Sequence, residues 1–489
     1  MMDKAEDLVS GTFYLTIMQA SHYVVALLFY VLVARVLSPG EVGSFSLLLM
    51  VMGVFNTVTL LALNSAVIRF VSEGLGRGDV GYAYSSSAAA FRVLLCVSLP
   101  VLFLGFAFSP LLSSYLNVGM LDVVCMLSAA LILNLTSFYG AVMLGYSLFR
   151  EVSLQNILFV FLSRFLGLVL AYPGLRVLGL SLGFLVGSLV TLLYSIFVLR
   201  GRVKYSVRGF SVRRLFGFSL PLYGYNIVGL VQGWLDVAIL SSVAGLGGAG
   251  TYYIAVSSVA PLTILWAPLS SALFPTLSSL NGSGDEAGFR VVSVRTLRVA
   301  TAVVLPLSAA LSSVSYTALS IVYGSRYAEA SIPFSILAAV SILGAYSSIY
   351  STELQSKGST RPILLAGLLS VAIYVLLLTA LAAPFKQIGA ALARAGMVAV
   401  GFAVLYRKID TGLPENLWRS VLGALLVATP LLPIELLWDT DVYLKASVEL
   451  AVLAGALALT YKFVKPLSGE DLELLKAAMP MKLKQSRFW

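Results

Sequence analysis

Residues 36–48 read VLSPGEVGSFSLL, and residues 243–255 read VAGLGGAGTYYIA. Each is a glycine-rich turn between two long apolar runs. Aligning Gly43 with Gly250 sets Phe45 against Tyr252, at an offset of 207. The same offset carries Arg150 in the turn LGYSLFRE onto Lys357 in the turn STELQSKG. Farther on, LGLSLG and QIGAAL match with Gly179 on Gly389, an offset of 210 and so a slip of three residues. A block of six apolar runs is therefore present twice. Six is an even number, so the two copies keep one orientation, related by an axis along the membrane normal. This is the plan of an alternating-access carrier with a substrate cavity between two lobes.

The runs themselves are membrane helices. Of 489 residues, 59% are hydrophobic and only 11% charged, whereas a soluble domain carries about 25% charged residues. Fourteen runs follow one another, at 10–36, 41–70, 80–110, 119–147, 151–173, 177–200, 214–241, 248–279, 290–316, 328–355, 361–383, 387–407, 417–438 and 442–464. Each is long enough to cross a hydrocarbon core of about 30 Å, and strongly apolar runs of this length are helices and not barrel strands. The expected fold is all-α and polytopic: an N-terminal lobe over 1–200, a basic linker over 201–213, a C-terminal lobe over 214–410, two further helices over 411–465 and a tail over 466–489. The acidic start MMDKAEDLVSG is unlike a signal peptide, and the first run reads as an uncleaved helix.

Charge sets the orientation. With the N-terminus inside, Arg69, Arg77, Arg200, Arg202, Lys204, Arg208, Arg213 and Arg214 are cytoplasmic, as are Arg290, Arg295, Arg298, Lys357, Arg361, Arg407, Lys408 and Arg419. The tail adds Lys462, Lys465, Lys476, Lys482, Lys484 and Arg487. The other side receives only Arg35, Arg176, Arg326, Lys386 and Lys445. By the positive-inside rule both termini are cytoplasmic. The net charge of +10 is then a topology signal and no sign of a nucleic-acid partner. The basic, aromatic tail suits the anionic inner leaflet.

Ionisable groups at membrane depth are expensive and mark function by default. The first copy has Arg92 and Arg164, with His22, Gln19, Asn56, Asn64, Gln155 and Asn156; the second has Asn226, Gln232, Asp236, Glu353 and Arg394. Three arginines against one well-placed carboxylate, Asp236, suit a phosphate or pyrophosphate headgroup, which guanidinium grips with paired hydrogen bonds. The candidate substrate cavity thus comprises Arg92, Arg164, Arg394, His22, Asn56, Asn64 and Asn226. Plainer readings stand beside this one. The arginines could snorkel to an interface, His22 could be a packing residue, and the amides could bridge helices. Asp236 could hold a coupling ion, but a structural pairing is favoured. No P-loop, GxSxG, HExxH or cysteine/histidine metal pattern is present, and Cys96 and Cys125 form no framework. No cofactor or metal is implied.

The strings LVARVLSPGEVGSFSLL and AVIRFVSEG resemble the N-terminal pattern of the polysaccharide transporter branch of the multidrug/oligosaccharidyl-lipid/polysaccharide (MOP) exporter superfamily. WLDVAILSSVAGLGGAGTYYIA with LFPTLSSL resembles the pattern opening that branch's second lobe, and the turn at Lys357 and Gly358 adds a third patch. The resemblance implies a flippase, not an enzyme. It would carry a polyprenyl- or dolichyl-linked oligosaccharide from the cytoplasmic to the outer leaflet of the cell membrane, beside the enzymes that assemble the glycan; the two-lobed design needs no partner for its cavity, so a monomer is expected. Arg92 and Arg164 match the cationic cavity of such flippases, and Asp236 matches an acidic position after the bend in the seventh helix. A cation-coupled drug exporter is the alternative, although the first lobe lacks its intramembrane carboxylate. A peptidoglycan-precursor flippase is a close cousin. A membrane glycosyltransferase or polymerase would need a larger outer loop than these connections provide.

Overall fold

The computed structural model describes residues 2–200, 210–414 and 417–464. Most of the expected linker and the whole expected tail lie outside the described residues. Among the described residues every regular element is a helix, as backbone buried in hydrocarbon requires of a chain that closes no barrel. Eleven helical stretches among the described residues are long and apolar enough to cross a membrane, and a shorter apolar helix covers Ser21–Val36. The chain is an all-α polytopic membrane protein. It divides into two compact units, Met1–Tyr253 and Ile254–Trp489.

The first unit holds α1 (Met2–Val36), α2 (Pro39–Leu60), α3 (Leu63–Gly76), α4 (Val80–Ala107), α5 (Ser109–Leu116), α6 (Met120–Gly145), α7 (Phe149–Leu170), α8 (Arg176–Leu199) and α9 (Val212–Val243); α10 (Gly245–Val259) begins in it. Ser38 starts α2 with a capping box: Ser38 accepts from the Glu41 amide and Glu41 accepts from the Ser38 amide, with Pro39 in the first turn. This arrangement satisfies orphan donors that the helix itself cannot. Arg176 closes the corner by an ion pair with Glu41. Helices α7 and α8 lie close because α8 carries Gly179, Gly183 and Gly187 on one face. A Cβ on Gly183 would collide with the backbone of Gly167, and one on Gly187 would press on Ser163. Small residues at this spacing are the means by which membrane helices approach. Leu63, Val67, Phe70, Leu94, Phe138 and Met143 fill the core where α3, α4 and α6 meet.

The second unit holds α11 (Ala267–Ser283), α12 (Glu286–Ser313), α13 (Ser315–Tyr323), α14 (Ser331–Ala339), α15 (Ser341–Ser356), α16 (Arg361–Tyr406), α17 (Leu417–Leu437) and α18 (Val442–Leu459). Its core gathers Trp266, Leu297, Val304, Tyr346, Ile349 and Tyr350. A smaller cluster of Val427, Leu431 and Ala456 joins α17 and α18 to Ala310 of α12.

Local structure repeats along with the sequence. Asp79 caps α4 by accepting from the Tyr82 amide at 2.9 Å, and Asp285 caps α12 by accepting from the Gly288 amide at 2.8 Å. Pro100 lies inside α4 and Pro306 inside α12. The stretches Phe149–Leu199 and Arg361–Tyr406, of 51 and 46 residues, are each about twice the length that one crossing needs. Each is broken by a basic residue in nearly the same unusual conformation: Arg176 at φ 47, ψ −121 and Lys386 at φ 47, ψ −124.

Candidate functional site

Arg164 organises the polar interior of the first unit. It lies 15 residues into α7, about 22 Å along the helix at 1.5 Å per residue. Its side chain is half-buried, and Nη1 donates to the carbonyl oxygen of His22 on α1 at 3.3 Å. The guanidinium carbon stands 5.9 Å from the centroid of the Phe29 ring, within cation–π range. Tyr30 and Tyr253 share a hydrogen bond between their hydroxyls at 2.8 Å, and Trp234 stacks on Tyr253. Two sequence candidates, Arg164 and His22, are therefore brought together, although His22 takes part through its backbone. Its ring meets the edge of Tyr23.

The aromatic wall of Phe29, Tyr30, Trp234 and Tyr253 escaped sequence reasoning. Tyr253 sits inside the repeat turn quoted for its glycines, but nothing in one dimension ties it to Tyr30. Arg92 is placed differently. It is exposed on α4, with Nε donating to the carbonyl of Ala88 one turn back at 3.3 Å. Helix α4 packs on α3 and α6, whereas α7 packs on α1 and α8.

Asn56 and Asn64 flank the break between α2 and α3, where Leu61 and Ala62 both adopt left-handed backbone. The side-chain oxygen of each is buried with no hydrogen-bond partner. Asn64 also lines a recess of about 190 Å³ with Thr136, Ser137, Gln155, Asn156 and Phe159, at the seam of α3, α6 and α7. Asn226 is exposed on α9. Asp236 is fully buried, accepting from the Tyr252 hydroxyl at 2.7 Å and from the Val237 amide at 2.8 Å. In the second unit Arg394 is half-buried on α16.

A second buried carboxylate lies in the second unit. Glu353 on α15 is buried and accepts from the Thr411 hydroxyl at 2.6 Å. Thr411 also lines a cavity of about 490 Å³ with Asn281, Asp285, Glu286, Arg290, Lys357 and Asp410. Lys445, read from sequence as an outer-side topology charge, is only 6% exposed. Its ammonium pairs with Glu435 at 3.1 Å and donates to the Glu435 carbonyl at 2.6 Å. Glu435 also accepts from the Tyr316 and Thr317 amides and the Thr317 hydroxyl, and that hydroxyl reaches the buried Glu449 at 3.4 Å. Tertiary packing, which puts α17 and α18 against α13, creates this cluster.

The family described as "Polysaccharide biosynthesis protein" matches residues 32–332 of the chain. The "Probable low-salt glycan biosynthesis flippase Agl15" of Haloferax volcanii is 27% identical over 375 residues, covering 76% of each chain. The "Probable flippase AglR" of the same organism is 23% identical over 418 residues, covering 83% of this chain and 85% of its own. Among solved structures, the lipid II flippase MurJ in an inward closed conformation superposes with a TM-score of 0.71 at 16% identity, over 91% of this chain and 98% of that one. An inward-facing multidrug resistance MATE family transporter of the MOP superfamily superposes at 0.65 and 15% identity, over 80% and 94%. These likenesses show the MOP transporter fold, and the match over residues 32–332 shows that the chain belongs to the polysaccharide biosynthesis protein family.

Proposed function

We propose that this protein is a flippase that moves a polyprenyl- or dolichyl-phosphate-linked oligosaccharide from the cytoplasmic to the outer leaflet of the cell membrane by alternating access. The observation that carries the reading is Arg164: a guanidinium held deep along α7 by the His22 carbonyl and the Phe29 ring. A permanent cation kept at such depth needs an anionic counterpart. A lipid phosphate supplies one, with the oxygens that guanidinium binds two at a time. The two Haloferax volcanii relatives carry flippase in their names, which supports the same class of cargo. No bond is made or broken in this reading, so the protein is a transporter and not an enzyme.

Arg92, Arg394, Asn56, Asn64, Asn226 and His22 join Arg164 along the translocation path, with Asp236 a structural anchor tied to Tyr252. Charged and amide groups exposed on membrane helices, such as Arg92 on α4, face water in this reading, because facing lipid is costly. Counting Phe149–Leu199 and Arg361–Tyr406 as two crossings each and adding α1 gives fourteen crossings. Both termini are then cytoplasmic, the lobes span 1–200 and 214–410, and the protein works as a monomer beside the enzymes that assemble its cargo.

Reconstitution into vesicles with dolichyl-phosphate-linked sugar tests the reading. Arg164→Ala is expected to slow translocation at least tenfold at unchanged protein level. Arg164→Lys should recover part of the rate, since lysine keeps the charge but loses the fork. Unaltered translocation by Arg164→Ala would overturn the role of Arg164.

A further inference from the structure

The recess at the seam of α3, α6 and α7 differs in chemistry from the surroundings of Arg164. None of its lining side chains is ionisable; its polar atoms come from Asn64, Thr136, Ser137, Gln155 and Asn156. Gln155 is 3% exposed. Its amide nitrogen donates to the Thr136 carbonyl at 2.7 Å, which fixes the amide and leaves Oε1 as its unpartnered acceptor. That oxygen lies against Gly140, another part of the wall. Gln155 Oε1 and Asn64 Oδ1 are both buried without a hydrogen-bond partner. Two buried acceptors without a partner, both on side chains that line one recess, bear a desolvation penalty until a donor arrives, so the recess suits a ligand that brings donors.

Three ligand chemistries can be compared. An ionised phosphate brings acceptors only and would face carbonyl oxygens with no cation beside them. A bare cation would carry its charge into a recess without a carboxylate to neutralise it. A neutral polyol brings hydroxyl donors, and its C–H face suits an aromatic ring, which Phe159 provides. The volume of about 190 Å³ falls below the range of about 300–1,000 Å³ for drug-sized ligands, so it fits one sugar and not a whole oligosaccharide. Asn156 is exposed at the mouth.

We propose that this recess is a carbohydrate subsite, in which Asn64, Gln155 and Asn156 bind the hydroxyls of one sugar residue and Phe159 packs on its face. The proposal rests on the flippase reading above and deepens it. Asn156 and Arg164 lie eight residues apart on α7, about 12 Å along the axis. A phosphate at Arg164 and a nearby sugar in the recess can therefore belong to one lipid-linked molecule.

The test measures translocation of two probes by the full-length protein in vesicles: dolichyl phosphate bearing a single hexose, and bare dolichyl phosphate. The readout is the ratio of the two rates. Gln155→Leu and Asn64→Leu are expected to lower the hexose-to-bare ratio at least tenfold, whereas Arg164→Ala lowers both rates together. Asn156→Leu, at the exposed mouth, gives the same reading without disturbing buried packing, and decides the matter should the buried variants fail to fold. An unchanged ratio in Asn156→Leu and in every folded buried variant overturns the subsite, and shows a recess that holds water only. A wild-type protein that moves neither probe overturns the flippase reading and the subsite with it, an outcome distinct from an unchanged ratio.

Discussion

At Gly43 the chain passes so close to its neighbour that a Cβ would strike the carbonyl of Leu246, and a Cβ on Gly250 would strike the carbonyl of Pro39. Both obstacles are backbone, which no rotamer change can move aside. Gly43→Ala is expected to destabilise the protein by about 1–3 kcal/mol, the usual cost of overpacking a tight contact, while Gly40→Ala, with nothing within 4 Å, should be silent. Thermal unfolding in detergent, followed by the loss of monodisperse protein, separates the two. These glycines also show how far single residues are legible. Aligning the two copies of the repeat pairs Gly43 with Gly250, because both turns need a residue without a side chain. That the paired glycines touch each other is beyond sequence, since an offset of 207 says which positions are equivalent and not which are adjacent. The candidate site divides the same way. Arg164 announces itself by its charge in an apolar run, but Tyr30 and Tyr253, 223 residues apart, read as ordinary aromatic residues until folding joins their hydroxyls.

The helices are the most legible elements, because a run of about 20 apolar residues leaves the backbone no alternative to satisfying itself. Their buried charge is the least legible. Lys445 lies in the first turn of α18, and a count of basic residues treats it as a marker of sidedness. In the fold it sits between Glu435 and the neighbourhood of Glu449, with Thr317 of α13 bonded to both carboxylates. This cluster ties the α17–α18 hairpin to α13 through ionic hydrogen bonds instead of apolar packing alone. Removing one partner of a buried pair costs about 3–5 kcal/mol, because it strands the other charge. Lys445→Met should therefore lower the unfolding temperature sharply, and Glu435→Gln in the same chain should restore part of the loss. A double-mutant cycle on melting temperatures measures the coupling. Additive losses would show that the pair contributes nothing as a pair.

On the scale of the whole molecule, the two copies of the six-run block share local devices that no single helix required: the aspartate caps at Asp79 and Asp285, the prolines at Pro100 and Pro306, and the basic breaks at Arg176 and Lys386. A parallel repeat places equivalent turns on the same side of the membrane, and the basic residues say which side that is. The turns after α3 and after α11 carry the capping aspartates, and the positive-inside rule leads us to expect both, with Arg77 and Arg290, on the cytoplasmic side. The turns after α5 and after α13 are then expected outside. With Cys96 and Cys125 replaced by serine, single cysteines at Ser114 and Ser325 should react with a membrane-impermeant maleimide added to intact cells. Single cysteines at Gly78 and Ser283 should react only after the membrane is opened. The expectation is symmetric within each copy, which makes it demanding: labelling of Gly78→Cys from outside would invert the first block, and labelling of Gly78→Cys without Ser283→Cys would break the parallel relation itself. An inverted first block would also reverse the direction assigned to the cargo, because the deep guanidinium of Arg164 would then begin its cycle facing the other leaflet.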